Sequence, residues 1–337
     1  MEKIFKGKNI LITGGAGSIG SEIVRQVLDY KSNVVRILDN DECDLFKLEQ
    51  ELNSYGSFRT LLGDVRDKER LKRAVEDIDI VFHAAALKHV PMCEYNPFEA
   101  IKTNVLGTQN LIEVAIDNNV DRLITISTDK AANPVNTMGA TKLLAERLTT
   151  DANFYKGSRK TILSCVRFGN VLNSRGSVIE VFKKQIEEGG PITLTDPDMR
   201  RFVMRIEEAV NLILNATSEA RGGEIFILKM PVLRLGDLAE VLVEELAPRY
   251  GYKSKDVEIK VMGIRHGEKF FEELIGEGES QRCYENDGMY IVMPQIGQIE
   301  SRYSHMKAAK IGRYTSQDEK LLDKVEIKNL LLSDGVI

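Results

Sequence analysis

The stretch NILITGGAGSIG (residues 9–20) decides the fold. A short β-branched run from Asn9 to Ile12 leads into glycines at 14, 17 and 20, and an amphipathic run from Ile19 to Tyr30 follows. Strand, glycine turn and helix, in that order, are what a dinucleotide pyrophosphate needs. The first glycine permits the tight turn, the second lets the phosphates approach backbone, and the third lets helix pack on strand. Gly14, Gly17 and Gly20, with Ser18 and Ile19 between the last two, are therefore candidate cofactor contacts. A glycine triplet alone is weak evidence, and the strand–turn–helix context gives it weight.

The same alternation continues through the first half of the chain. Strands are expected at Val34 to Leu38, Phe58 to Leu62, Ile78 to His83, Leu123 to Ser127 and Thr161 to Arg167. Helices are expected at Cys43 to Asn53, Lys68 to Glu76, from Pro97 towards Asn119, and from Met138 to about Thr150. This pattern implies an α/β fold, a Rossmann-type doubly wound parallel sheet with helices on both faces. After Asn170 glycines and prolines cluster (Gly176, Gly189, Gly190, Pro191, Pro197), which reads as a smaller, interleaved C-terminal substrate-binding region. The expected division is a dinucleotide-binding domain over 1–170, a substrate-binding region over 171–300 and a tail over 301–337. A late strand near 224–228 would join the first domain, and the last ~25 residues read as one charged, partly mobile helix.

Asp39 closes the second strand about 20 residues past Gly20, where a carboxylate accepts the hydroxyls of the adenosine ribose and repels a 2′-phosphate. Asn40, Asp41 and Glu42 offer that phosphate no cation, so NAD is expected in preference to NADP. A helix N-cap is the plainer role for a carboxylate here, and it suits Asp41 or Asp44 better than Asp39. Asp64 and Val65 are placed to meet the adenine, and Ala84, Ala85 and Ala86 give a small-residue floor beneath the cofactor.

Composition bounds the function. The chain has 337 residues, 43% hydrophobic and 29% charged, with formal charge −5 and a sequence pI near 5.7. That acidity argues against a nucleic-acid binder. No apolar run approaches the ~20 residues of a membrane span, and the first residues read as running straight into a strand, with no signal peptide. Cys43, Cys93, Cys165 and Cys283 are scattered without metal-type spacing, as expected of a cytoplasmic protein with reduced thiols and no metal.

Ser127-Thr128-Asp129-Lys130 ends the fifth strand, at the carboxyl edge where open α/β sheets bind ligands. Met138-Gly139-Ala140-Thr141-Lys142 follows, and positions 138 and 142 share a helix face. Together with the glycine loop this resembles the extended short-chain dehydrogenase/reductase superfamily, whose helix carries Tyr-x-x-x-Lys. Here methionine stands at the tyrosine position. HAAALKHVP (83–91), STDKAANPVNTMGATK (127–142), RFGNVLNSRGSV (167–178), TLTDPDMRRF (193–202) and RHGEK (265–269) narrow the resemblance. The chain is similar, from about residue 8 to 295, to nucleotide-sugar 4,6-dehydratases of polysaccharide synthesis, and most of all to the UDP-N-acetylglucosamine group, some of whose members carry that methionine.

The resemblance implies a reaction. The sugar is oxidised at C4 by hydride transfer to NAD, water is lost across C5–C6, and the hydride returns to C6. It also implies roles: Lys142 orients the nicotinamide ribose, Thr128 contacts the sugar, and Asp129 with Lys130 carries out the elimination. Asn104 supports the active-site helix. Asn170, Ser177 and Arg201 hold the diphosphate and nucleoside, and Arg265 with Glu268 completes the nucleotide pocket. Lys88 is a further candidate for the sugar pocket, and the long helices after Pro97 and Met138 are expected to pair two or more copies of the chain.

With Met138 in the tyrosine position, ionised Asp129 is expected to take the O4 proton and later deliver it to the departing C6 hydroxyl. The difficulty is Lys130. A neutral Asp–Lys pair in water lies roughly 9 kcal/mol above the ionised pair. Plainer readings stand beside these: Asp129 and Lys130 as an exposed loop pair, Met138 as core filling, Lys88 as structural, and Arg201 or Arg265 as surface charge. Two other functions also stay open, a UDP-sugar 4-epimerase and a dinucleotide-sensing protein without catalysis.

Overall fold

A computed structural model describes residues 2–295, 303 and 306–337. Its main sheet has ten strands, labelled here in chain order. They are β1 Asn9–Thr13, β2 Val34–Asp39, β3 Phe58–Leu62, β4 Ile80–His83, β5 Arg122–Thr128, β6 Ile162–Phe168, β7 Ile225–Leu228, β8 Cys283–Glu285, β9 Met289–Val292 and β10 Lys307–Ala308. The spatial order is β10-β8-β9-β7-β6-β5-β4-β1-β2-β3. The seven strands β3-β2-β1-β4-β5-β6-β7 run parallel. This is the doubly wound arrangement, with the order reversing between β1 and β4, so a crevice opens beyond their carboxyl ends.

The strands are apolar on both sides because both faces are covered. Ile10 and Ile12 of β1 join one core with helix Ser18–Asp29 and the buried side of helix Ile206–Glu219. Leu11, pointing the other way, joins a second core with helices Lys68–Val75 and Gly107–Asp117. Side-chain caps set several helix starts. Asp41 accepts from the Asp44 N–H, Asp67 from Arg70, and Asn136 from Gly139.

The expected elements of the first half are present with ends shifted by a residue or two, except that the helix expected to end near Thr150 runs on to Tyr155, an unexpected helix Val90–Tyr95 follows β4, and two further places differ. A short helix, Glu2–Phe5, precedes β1. The helix expected from Pro97 is not continuous: Pro97–Ala100 passes into a π-helical turn, Ile101–Leu106, before Gly107–Asp117. π-turns of this kind recur at functional sites.

Beyond Asn170 the chain is interwoven with the sheet. β7 extends the parallel strands, and β9, β8 and β10 add antiparallel strands at its edge. A separate three-stranded sheet pairs Asn170–Val171 with Arg200–Met204 and Val232–Arg234, which brings Asn170 and Arg201 onto adjoining strands. A third core joins helices Val178–Glu187 and Leu235–Leu246 to the C-terminal helix Lys324–Ser333. That last helix is shorter than expected and is not a loose tail, since Ile327 and Leu331 are fully buried. The expected boundary at residue 300 lies outside the described residues.

Candidate functional site

One cavity of about 910 Å³ runs along the carboxyl edge of the parallel strands. Gly14, Gly17, Ser18, Ile19 and Gly20 line one end with Asp39, Asp64, Val65, Ala84 and Ala85. Thr128, Lys130, Met138 and Lys142 line its middle, and Lys88, Asn170, Ser177 and Arg201 the far side. Every residue expected at the cofactor, the chemistry or the substrate therefore meets in one space, apart from Asp129, Arg265 and Glu268. Asp129 lies just behind the wall. Arg265 is exposed on the segment before β8 and does not reach the cavity, and neither does the half-buried Glu268. That segment packs instead against the start of helix Thr137–Tyr155, where Asn136 donates to the Gly267 carbonyl at 2.8 Å.

The glycine turn is as tight as its sequence suggests. Gly14 has φ +66°, and a Cβ there would sit 2.5 Å from the Ala85 nitrogen. A Cβ on Gly20 would collide with the Gly14 carbonyl. The turn ends at the free N–H groups that begin helix Ser18–Asp29, where a pyrophosphate is favoured. Asp39 accepts from the backbone N–H groups of Ala16, at 3.0 Å, and Asp41, at 3.1 Å, which holds its carboxylate at the mouth of the turn. Arg175 was not foreseen. Its backbone N–H donates to Ser18 Oγ at 3.0 Å, its guanidinium donates to the Ala16 carbonyl at 2.7 Å and pairs with Asp44, and its own carbonyl accepts from Lys88 Nζ. The segment around it thus straps the glycine turn from the opposite side of the cavity.

Charge is graded along the cavity. Asp39, Asp41, Asp44, Asp64 and Glu99 line the end beyond the glycine turn and are only partly balanced there by Arg66 and Arg175, whereas Lys88, Lys130, Lys142 and Arg201 line the rest. Carboxylates suit ribose hydroxyls, and cations suit a sugar diphosphate. Ser177 precedes helix Val178–Glu187, and its hydroxyl is buried without a partner.

At the end of β5 the Asp129 carboxylate is fully buried. Its Oδ1 accepts from Thr128 Oγ1 at 2.8 Å and from Lys130 Nζ at 2.9 Å, while Oδ2 is buried with no partner. The reading of these residues as an exposed loop pair is therefore wrong, because this turn is built into the core. Lys130 also donates to Asn170 Oδ1 at 3.1 Å and lies 3.6 Å from the Glu272 carboxylate. Burial opposes charge on Lys130, yet Asp129 and Glu272 outweigh it and raise its pKa. Arg201 is likewise no surface charge. It is 7% exposed, donates to the Arg200 and Phe270 carbonyls, and approaches Glu272 at 3.9 Å.

Glu272 is the second residue that sequence reasoning missed. It stands in a Phe-Phe-Glu-Glu run with no spacing to mark it, and only the fold carries it to Lys130 and Arg201.

Met138 is buried against Cys93 and Ala100 while also touching the cavity. It is both core and lining. One turn along the helix, Lys142 donates to the Ile126 carbonyl at 2.5 Å, and burial lowers its pKa to about 8. Asn104, inside the π-turn, accepts from the Leu87 N–H at 2.8 Å and donates to the Leu87 carbonyl and to Thr141 Oγ1, both at 3.0 Å. It ties the segment after β4 to the helix that carries Met138 and Lys142. Gly139 lets that helix approach the turn, because a Cβ there would strike the Lys130 carbonyl.

His83 is buried between Thr13 Oγ1 and Thr108 Oγ1, and burial lowers its pKa to about 3, so it is neutral packing beneath the site. Among the described residues no cluster of His, Cys, Asp or Glu could hold a metal, and no helix is long and apolar enough to cross a membrane.

The sequence pattern described as "Polysaccharide biosynthesis protein" matches residues 10–294. A Methanocaldococcus jannaschii protein named an uncharacterized membrane protein is 60% identical over 98% of this chain and 97% of its own. A UDP-N-acetylglucosamine 4,6-dehydratase (inverting) of Campylobacter jejuni is 44% identical over 88% of this chain and 86% of its own. A UDP-glucose 4-epimerase of Rickettsia typhi is 38% identical over 98% and 97% respectively. Among solved structures, Pen from Bacillus thuringiensis superposes with a TM-score of 0.94 at 44% identity, covering 99% of both chains.

Proposed function

Since this chain belongs to the polysaccharide biosynthesis protein family, we propose that it is an NAD-dependent nucleotide-sugar 4,6-dehydratase acting on UDP-N-acetylglucosamine. The observation that carries the reading is the single cavity joining a dinucleotide turn to the Thr128-Asp129-Lys130 turn. The 44% identity to a dehydratase of that substrate supports it.

NAD supplies a hydride acceptor when bound. It fits the glycine turn, whose close approach to Ala85 leaves room for backbone-bound phosphates, and Asp39 would take the adenosine ribose. Asp64 and Val65 would meet the adenine and Ala84 and Ala85 would underlie the cofactor, while Lys142 would hold the nicotinamide ribose. The Asp39 carboxylate would repel the 2′-phosphate of NADP. Arg201, Asn170 and the Ser177 hydroxyl would take the sugar diphosphate, with Lys88 at the sugar. Arg265 and Glu268 would join only if their segment moves inward.

Thr128 would orient the hexose. The Oδ2 of Asp129, buried without a partner just behind the cavity wall, would be bared as the sugar binds and would accept the O4 proton during oxidation, the task Met138 cannot perform. The same proton would then go to O6 as it departs, while Lys130 removes H5, which the C4 ketone has made acidic. One carboxyl group thereby serves two steps.

The apolar side chains exposed on helix Val90–Tyr95, on the segment from Pro97 through the π-turn and on helix Thr137–Tyr155, such as Met92, Phe98, Leu106 and Leu144, suit pairing of two copies. The four unpaired thiols suit work in the cytoplasm.

A 4-epimerase is the second reading, favoured by the Rickettsia relative. Substrate deuterated at C4 separates the two by NMR. The dehydratase reading expects the deuterium at C6 of a 4-keto-6-deoxy product. Deuterium retained at C4 of a C4-epimerised hexose would establish the epimerase instead.

A further inference from the structure

We propose that Glu272 accepts the ammonium proton of Lys130 once Asp129 has been neutralised, so that Lys130 meets H5 as a free amine. The inference rests on the dehydratase reading above. Without such an acceptor the reading is incomplete, because a lysine held charged by two carboxylates is no base.

The groups facing Lys130 are Asp129, Glu272 and Arg201, with Thr128 and Asn170 as neutral neighbours. Glu272 is 3% exposed. Its Oε1 lies 3.6 Å from Lys130 Nζ and 3.9 Å from Arg201 Nε, and its Oε2 is buried without a partner. Its backbone N–H donates to Ser316 Oγ at 2.9 Å, which fixes the residue in place. Glu272 therefore stands between the elimination lysine and the arginine proposed for the diphosphate, with proton-accepting capacity unused.

In the resting site two carboxylates balance two cations. Oxidation at C4 puts the O4 proton on Asp129, and the substrate diphosphate draws the charge of Arg201. What remains is one ion pair, Lys130 with Glu272, in a site closed by substrate. Desolvation then favours the neutral pair over the charged one. The Lys130 proton moves to Glu272, and the freed lone pair takes H5 as a proton. The C5–H electrons become the C5–C6 double bond, and O6 leaves as water with the proton held by Asp129. With C6 reduced, C5 would receive a proton from Lys130 or from water. Glu272 returns its proton, and the resting charges are restored.

Glu272 acts through Lys130 and is a positioning residue, so the test must separate proton handling from architecture. Holoenzyme carrying Glu272→Gln is mixed with UDP-N-acetylglucosamine, and bound NADH and product are followed in one turnover across a pH series. NADH should form at the wild-type rate while product formation falls roughly a hundredfold or more. The deficit should shrink as pH rises, because solvent can then deprotonate Lys130. Glu272→Asp should keep most of the wild-type rate and the wild-type pH profile, and it carries the test by itself if the glutamine variant does not fold. The proposal is overturned if Glu272→Gln keeps kcat, if it loses NADH formation equally, if its deficit ignores pH, or if Glu272→Asp behaves like a knockout. Failure of the dehydratase reading looks different: wild-type holoenzyme would then give no 4-keto-6-deoxy product at all.

Discussion

Asp129→Asn is expected to suppress formation of enzyme-bound NADH from UDP-N-acetylglucosamine by roughly 10²–10⁴-fold in a single turnover. The size of the effect follows from Met138. A thioether accepts no proton, and among the groups at this turn Asp129 offers a buried carboxylate oxygen with nothing bound to it. Asparagine keeps the shape and the hydrogen bonds from Thr128 and Lys130, yet has no basic oxygen to protonate. The folded protein and its NAD content should therefore be unchanged while the oxidation stalls. Stopped-flow absorbance of the reduced cofactor reads the outcome. A near wild-type rate would show that another group takes the O4 proton.

The second large effect concerns stability. Arg167, fully buried on β6, donates to Glu146 at 2.9 and 2.6 Å, to Glu279 at 2.8 and 2.9 Å, and to the Leu274 carbonyl at 2.7 Å. Arg167→Met leaves two buried carboxylates without the guanidinium that is hydrogen-bonded to both and should destabilise the protein by about 3–5 kcal/mol. The dependence on pH has a definite sign. Burial alone would raise the pKa of Glu279, but Arg167 overrides it and lowers the value to about 2 from an ordinary 4.5. Stability drawn from this pair is thus complete above pH 4.5 and is lost as pH falls towards 2. In the variant the buried Glu279 carboxyl, deprived of Arg167, is pushed by burial towards its protonated form, so the gap between variant and wild type should be widest near neutrality and narrow on acidification. Urea unfolding at several pH values measures it, and a gap independent of pH would rule this account out.

Much of this was legible in the sequence because local signals and the global fold agree. The glycine turn, Asp39 at the end of β2 and the Thr128-Asp129-Lys130 turn at the end of β5 all follow from strand-to-helix periodicity, which places the carboxyl ends of the parallel strands on one edge. What escaped notice depends on contacts distant in the chain. The π-turn at Ile101–Leu106 mixes good helix formers (Lys102, Leu106) with weaker ones (Ile101, Thr103, Asn104, Val105), a composition that does not tell a π-turn from α-helix. Arg175 reaches the cavity, and Glu272 reaches Lys130 and Arg201 behind its wall, only through tertiary packing, and their neighbours in sequence carry no periodicity that points inward. The antiparallel edge strands are short and border segments of mixed composition, so two-residue alternation has little length in which to show. Arg265 illustrates the opposite case, since a motif placed it at the nucleotide whereas the fold leaves it on the surface.

The account depends on a nicotinamide ring and a hexose meeting over the turn after β5, with elimination following oxidation. Turnover of the holoenzyme with UDP-N-acetylglucosamine in deuterated water, followed by NMR, examines that most directly. A 4-keto-6-deoxy sugar carrying solvent deuterium at C5 is the predicted result. An unchanged sugar, or a C4 epimer with its C5 hydrogen intact, would contradict it.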